Sequence, residues 1–169
     1  MTKIVAISGS SRPDSSNKKL IRSIVSMYPG IQWEIWPIEE LPLFYVVDST
    51  SSNPEKVKTW KSAVAACDGM LIVTPEYIHN LPAVIKNALE WLTSAGELMN
   101  KRVLPITFTP HAPRGEKTMQ SLLWSLQALD ASVVSQMAVY QNEVSFNEED
   151  ALEESASSEM IEEAIKLLK

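Results

Sequence analysis

A single cysteine, Cys67, stands in a chain of 169 residues, and that scarcity excludes an intrachain disulfide. It also suits a reducing compartment, where structural disulfides do not persist. No histidine or nucleophile signature accompanies Cys67, so it reads as a small buried residue at a helix end rather than a catalytic thiol. The two histidines, His79 and His111, have no ligand spacing and only one cysteine to join them, so no metal site is expected. Positive charge is in deficit: 15 Lys and Arg face 21 Asp and Glu, for a formal net charge of −6. A phosphate backbone needs a basic surface, so nucleic acid is not an expected partner. No apolar run approaches the roughly 18 residues of a membrane-spanning helix, so no membrane is expected either. The opening stretch MTKIVAISGSS enters a strand directly and lacks the apolar region and cleavage site of a signal peptide, which points to the cytoplasm. Three nucleotide and hydrolase signatures are missing too: the Gly-Lys-Ser/Thr of a Walker A loop, GxGxxG, and the G-x-S-x-G elbow.

What is present suits one folded domain over residues 1–169, with 45% apolar and 21% charged residues. Lys3 to Ser8 is a β-branched run that ends at Gly9 and reads as a buried strand. Leu20, Ile21, Ile24, Val25 and Tyr28 then recur at helical spacing and stop before the turn signal Pro29-Gly30. Ile31, Trp33 and Ile35 alternate with polar or exposed partners as a second strand. A longer connection, Pro37 to Asn53, carries the apolar hook Leu41-Pro42-Leu43-Phe44 and a Ser/Thr stretch. A helix with Asn53 as cap and Pro54 in its first turn buries Val57, Trp60, Val64 and Cys67 and closes at Gly69. Met70 to Thr74 is continuously apolar, as a strand covered on both faces should be. After the Pro75–Asn80 loop, Pro82 opens a helix with Val84, Ile85, Ala88, Leu89 and Leu92 inward. Arg102 to Thr109 holds a fourth strand, Met119 to Leu129 a helix, and Ser132 to Tyr140 a fifth strand. The acidic stretch Glu148 to Glu159 reads as a solvated loop before a last helix at Met160 to Leu168.

Such alternation of strand and helix implies a parallel sheet wound on both faces through right-handed crossovers. Ligands on these sheets sit beyond the carboxyl ends of the strands. That rule gathers three loops around one crevice: 9–17, 75–80 and 109–115. The first packs Ser10, Ser11, Arg12, Ser15, Ser16 and Asn17 between a strand and a helix amino terminus. The helix end offers oriented N–H groups and partial positive charge, and Arg12 adds a full charge with a planar donor fork. Helix capping would need one of these residues and leaves Arg12 and the hydroxyl cluster without a role, so the loop reads as an anion site.

At these residues the chain resembles the NADPH-dependent FMN reductase family, whose members include quinone, azo-dye and chromate reductases of flavodoxin-like fold. The family motif G-S-x-R-x-x-S-x-N is matched by Gly9, Ser10, Arg12, Ser15 and Asn17. A second motif, a P-E-Y-N loop followed by P-x-x-x-K-N-A-x-D/E-W, stands here as Pro75-Glu76-Tyr77-Ile78, then Pro82, Lys86, Asn87, Ala88, Glu90 and Trp91. The resemblance implies a three-layer α/β sandwich whose five-stranded parallel sheet has the order 2-1-3-4-5. It also implies bound FMN, with NADPH or NADH as electron donor and a small-molecule acceptor such as a quinone, azo compound, free flavin or metal oxyanion. By that resemblance Ser10, Arg12, Ser15, Ser16 and Asn17 hold the FMN phosphate, while Pro75, Glu76, Tyr77 and Ile78 lie along the isoalloxazine, chiefly through backbone groups. No catalytic side chain is implied, since the cofactor carries the redox chemistry. Lys86, Asn87 and Trp91 read as packing and helix-fixing groups.

The resemblance further implies a homodimer or homotetramer, and Trp36, Phe44 and Tyr45 are aromatic groups that serve either that contact or the core. Two departures from the family pattern stand out. Ile78 replaces the usual Asn, and the third loop reads Thr109-Pro110-His111-Ala112-Pro113-Arg114-Gly115 in place of a Ser/Gly-rich stretch. Its prolines remove N–H donors. His111 and Arg114 either replace lost contacts, meet the phosphates of NADPH, or face solvent. The altered loop also leaves open a second reading, a flavin-binding or flavin-less regulatory protein on the same scaffold.

Overall fold

The computed structural model describes residues 1–46 and 52–169 and is organised by one parallel sheet. Strand β1 (Lys3–Ser8) lies inside the sheet, next to one edge strand, and is buried throughout after Lys3, as its apolar run requires. It pairs with β2 (Gln32–Trp36) on one side and with β3 (Gly69–Thr74) on the other. Strand β4 (Arg102–Thr109) follows β3, and the far edge is formed by β5 (Ser132–Val133) and β6 (Met137–Tyr140), both parallel to β4. The order β2-β1-β3-β4-β5 is the one the flavodoxin-like reading requires. Register places Ser8 beside Val73, Thr74 beside Thr107 and Thr109 beside Tyr140, so the carboxyl ends of four strands share one rim.

Helices cover both faces, and the period-2 alternation of the strands decides which side each covers. Helices α1 (Ser16–Met27) and α5 (Ala156–Leu168) bury Leu20, Ile24, Ile161 and Ile165 against Ile4, Ala6, Leu71, Val73 and Ile106. On the opposite face, α2 (Glu55–Ala66), α3 (Ala83–Glu90) and α4 (Glu116–Ala128) bury Val57, Trp60, Ile85, Leu89, Leu122 and Leu126 against Val5, Ile7, Met70, Ile72 and Val103. Cys67 is the buried C-cap of α2, the helix-end position expected of it.

Four expectations need correction. The fifth strand is broken in two, because β5 pairs with β4 in one register (Val103 beside Val133) and β6 in another that is shifted by one residue (Ile106 beside Met137). Such a shift is a bulge. Its cause lies on β4: Val103 accepts a hydrogen bond from the Val134 N–H at 3.0 Å, and Pro105, two residues on and facing the same edge, has no N–H to continue the ladder. Asn53 does not cap α2; Pro54 holds the cap position with no side-chain hydrogen bond. Gly69 does not close that helix but begins β3, where a Cβ would come within 2.9 Å of the Arg102 carbonyl. The acidic stretch is only partly a loop, since Leu152 is buried, bridges to Phe146, and precedes an α5 that already starts at Ala156 with a Ser155–Ser158 capping box.

In the connection after β2, Leu41 is buried and Phe44 packs edge-on to Trp91, while the Ser/Thr-rich part at 49–51 lies outside the described residues. Among the described residues no helix is long and apolar enough to cross a membrane.

Candidate active site

The first loop leaves β1 in contact with the end of β3. The Gly9 N–H donates to the Val73 carbonyl at 2.8 Å, and a Cβ on Gly9 would sit 2.2 Å from Thr74 Oγ1, so only glycine fits. The Ser10 N–H donates to Ser8 Oγ at 3.1 Å, which folds the loop back on the strand. Ser15 is the N-cap of α1 and its hydroxyl accepts from the Lys18 N–H at 3.1 Å. The next two N–H groups, of Ser16 and Asn17, have no protein acceptor among the described residues. They are the orphan donors of a helix start, and they open onto the loop. Asn17 is buried; its Nδ2 donates to the Phe108 carbonyl at 3.2 Å, tying α1 to β4, while its Oδ1 has no donor.

The second loop contains a two-residue turn. Tyr77 and Asn80 exchange backbone hydrogen bonds of 3.2 and 3.0 Å, and the central residues Ile78 and His79 have φ of 50° and 55°. A β-branched residue at positive φ is strained, whereas the Asn that Ile78 replaces tolerates it. Ile78 is 97% exposed and does not line the cleft that the other site residues share. Tyr77 is half-exposed at the crevice rim.

Beyond the chiefly backbone role that the resemblance implies, the Glu76 side chain makes contacts of its own. Its side chain is buried, and Oε2 accepts from the N–H groups of Gly115 at 3.0 Å and Thr118 at 3.3 Å. Gly115 is the N-cap of α4 and has no side chain to cap with, so Glu76 caps that helix from the second loop. Thr118 Oγ1 returns a hydrogen bond of 2.9 Å to the Asn80 carbonyl. Gly115 itself sits at φ 104° with Thr107 Oγ1 only 2.8 Å from where a Cβ would lie. Loops two and three therefore form one tied unit. Asn87 and Trp91 behave as fixing groups, both donating to the Pro42 carbonyl, at 3.0 and 2.9 Å.

The three loops enclose a cleft of about 310 Å³. It brings together Ser10, Arg12, Ser15, Ser16 and Asn17 from the first loop and Pro75, Glu76 and Tyr77 from the second. Pro110 and Arg114 enter from the third, and Gln141, the residue after β6, closes the rim with Nε2 donating to Ser16 Oγ at 2.9 Å. Gln141 had no motif to mark it; only its place after the last strand could have suggested it. His111 lies outside the cleft, with Nδ1 2.9 Å from the Ala112 carbonyl. Neither Arg12 nor Arg114 takes part in an ion pair among the described residues. Among those residues there is also no group of three or more His, Cys, Asp or Glu placed to hold a metal ion. Chemically, the cleft gathers N–H groups without a protein acceptor among the described residues, hydroxyls and two arginines outside any ion pair, a donor set suited to an anion.

Residues 2–144 match the family described as NADPH-dependent FMN reductase. The quinone reductase of Escherichia coli (strain K12) is 30% identical over 150 residues, 83% of this chain and 80% of that protein. A 2-hydroxy-1,4-benzoquinone reductase from a Burkholderia species is 43% identical over 90 residues, 53% of this chain, and the match spans about half (49%) of that relative's length. Among solved structures, the flavoenzyme NAD(P)H:(acceptor) oxidoreductase FerB of Paracoccus denitrificans superimposes with a TM-score of 0.80 at 21% identity, covering 99% of this chain and 96% of that one. That similarity is one of fold.

Proposed function

The chain belongs to the NADPH-dependent FMN reductase family, and from the cleft we propose that it is an NAD(P)H-dependent FMN oxidoreductase acting on a small acceptor. One observation carries the proposal: Arg12, the Ser15 and Ser16 hydroxyls and the two free N–H groups of the α1 start converge on a cleft that opens along Pro75–Tyr77. FMN fits this donor set. The orphan N–H groups and Arg12 would hold its phosphate, and the flavin's hydroxyl groups would offer the kind of donor that buried Asn17 Oδ1 lacks. When bound, FMN accepts hydride from NAD(P)H and passes the electrons to a quinone, azo compound, free flavin or metal oxyanion.

The chain's own residues bind and orient. Ser10, Arg12, Ser15, Ser16 and Asn17 hold the phosphate end, and Pro75, Glu76 and Tyr77 offer backbone groups to the ring. The hydrogen-bonded turn at Tyr77–Asn80 and the Glu76 cap keep the second and third loops at a constant separation. The side chain of Ile78 has no part in this, leaving only its backbone. No side chain is assigned a proton-transfer or nucleophilic role.

A homodimer or homotetramer would cover the exposed apolar groups Leu43, Val46, Tyr77 and Ile78. Trp36 and Phe44 are half-buried on the core and Tyr45 stacks edge-on against Trp91, so they contribute less to such a contact. A reducing cytoplasm fits the lone buried Cys67. The flavin-less regulatory reading rested on the third loop, and it is disfavoured because that loop is tied to the cleft through Glu76.

Anaerobic addition of NADPH, and separately NADH, to the FMN-loaded protein tests the proposal. Bleaching of the flavin absorbance faster than for free FMN is expected with at least one donor. A protein-bound flavin that stays yellow with both would overturn the enzyme reading.

A further inference from the structure

We infer that Arg114 is a second phosphate-binding guanidinium, paired with Arg12 across the cleft, so that the site selects the doubly charged phosphomonoester of FMN and discriminates against riboflavin. The inference rests on the FMN reading above and assigns the residue of the altered third loop to the phosphate rather than to NADPH or solvent.

Arg12 and Arg114 are the cationic residues that line the cleft, and Glu76 is its one carboxylate residue. That carboxylate is already occupied by the N–H groups of Gly115 and Thr118. Lysines near the first loop are engaged elsewhere, Lys18 with Glu39 at 2.6 Å and Lys19 with Asp150 at 2.6 Å. Two arginines outside any ion pair among the described residues therefore border one cleft at the amino terminus of α1, where the helix adds partial positive charge of its own. Like charges brought together in this way repel unless an anion lies between them, and a phosphomonoester of charge about −2 matches the pair.

Position supports the same conclusion. The backbone of Arg114 is held on both sides: its N–H donates to the His111 carbonyl at 3.1 Å, and its carbonyl accepts from Thr109 Oγ1 at 2.8 Å. The following residue, Gly115, is anchored by Glu76. A guanidinium launched from so constrained a backbone loses less conformational freedom on binding than one on a free loop. His111, the other candidate in this loop, lines no part of the cleft. The prolines that remove N–H donors, Pro110 and Pro113, thus precede an arginine whose side chain carries donors of its own.

The test compares FMN with riboflavin, which carry the same ring and differ in the phosphate. Flavin-fluorescence titration of the full-length, FMN-free chain should show Arg114→Ala weakening FMN by about ten- to a hundredfold, the range for a charge-assisted hydrogen bond. Riboflavin affinity should not change, and Arg114→Lys should recover part of the loss. Urea midpoints of the variants check that folding is intact. FMN affinity left unchanged by Arg114→Ala, or FMN and riboflavin weakened by the same factor, would overturn the inference while leaving the FMN reading standing. A wild-type protein that binds FMN no better than riboflavin would overturn both.

Discussion

Replacing Glu76 with Ala should destabilise the protein well beyond the usual effect of losing a surface carboxylate. The side chain is buried and accepts two backbone N–H groups, from Gly115 and Thr118, which are themselves buried. Truncation leaves both donors without a protein partner. Each orphaned donor costs about 1–3 kcal/mol, and partial relaxation of the loop brings the pair to about 2–4 kcal/mol. An ordinary N-cap deletion, by comparison, costs about 1 kcal/mol. For a chain of this size each kcal/mol lowers the melting temperature by about 2–4 °C, so a drop of about 5–15 °C is expected. Glu76→Gln keeps one acceptor but loses the charge at the α4 start, for about 1–2 kcal/mol. Urea unfolding of the FMN-free protein provides the measurement, with Glu116→Ala, an exposed first-turn carboxylate on the same helix, as control. If Glu76→Ala unfolds within about 0.5 kcal/mol of both wild type and that control, the inter-loop cap carries no weight and the reasoning fails.

Three further outcomes follow from the same geometry. Gly9→Ala forces a Cβ to 2.2 Å from Thr74 Oγ1, and should cost about 1–3 kcal/mol in urea unfolding together with loss of FMN binding; a neutral variant would mean the two strand ends are not in contact. Ile78→Asn relieves a β-branched residue at φ 50° and should raise the melting temperature by about 1–4 °C, whereas a lower melting temperature would show that exposed Ile78 is held by contacts the isolated chain lacks. Burial of Cys67 pushes its thiol pKa above the ordinary value, so a disulfide reagent at mildly alkaline pH should label the native protein slowly and the urea-unfolded chain at once; equal rates would place the thiol at the surface.

The sheet was legible wherever local pattern and tertiary environment agreed. Lys3–Ser8 and Arg102–Thr109 coincide with the predicted strands because both are rich in apolar and β-branched residues and are buried throughout after their first residue. The break between β5 and β6 was not read, although its cause, Pro105, stands in the neighbouring strand; a proline acts on the ladder partner as much as on its own strand. Gly69 was read as a helix stop because glycine commonly plays that part, but the close approach of Arg102 and Leu168 gives it another. At the candidate site, the first loop is visible as a local cluster of donor residues, and eight of the nine predicted residues line one cleft. Ile78 is the exception, since a turn with positive φ throws its side chain outward. The Glu76 cap and the Gln141–Ser16 rim were invisible for a different reason. They join residues 39 and 125 positions apart, and no local pattern encodes such a pairing.

The central claim is that the cleft at the α1 start holds the phosphate of FMN, and equilibrium titration of wild-type and Arg12→Ala protein with FMN tests it most directly. Arg12 is exposed and its side chain forms no ion pair among the described residues, so its removal targets the phosphate contact. Saturable FMN binding that weakens by about tenfold or more in Arg12→Ala is the predicted result. Wild-type protein that fails to bind FMN, or a variant that binds it with undiminished affinity, would contradict the account.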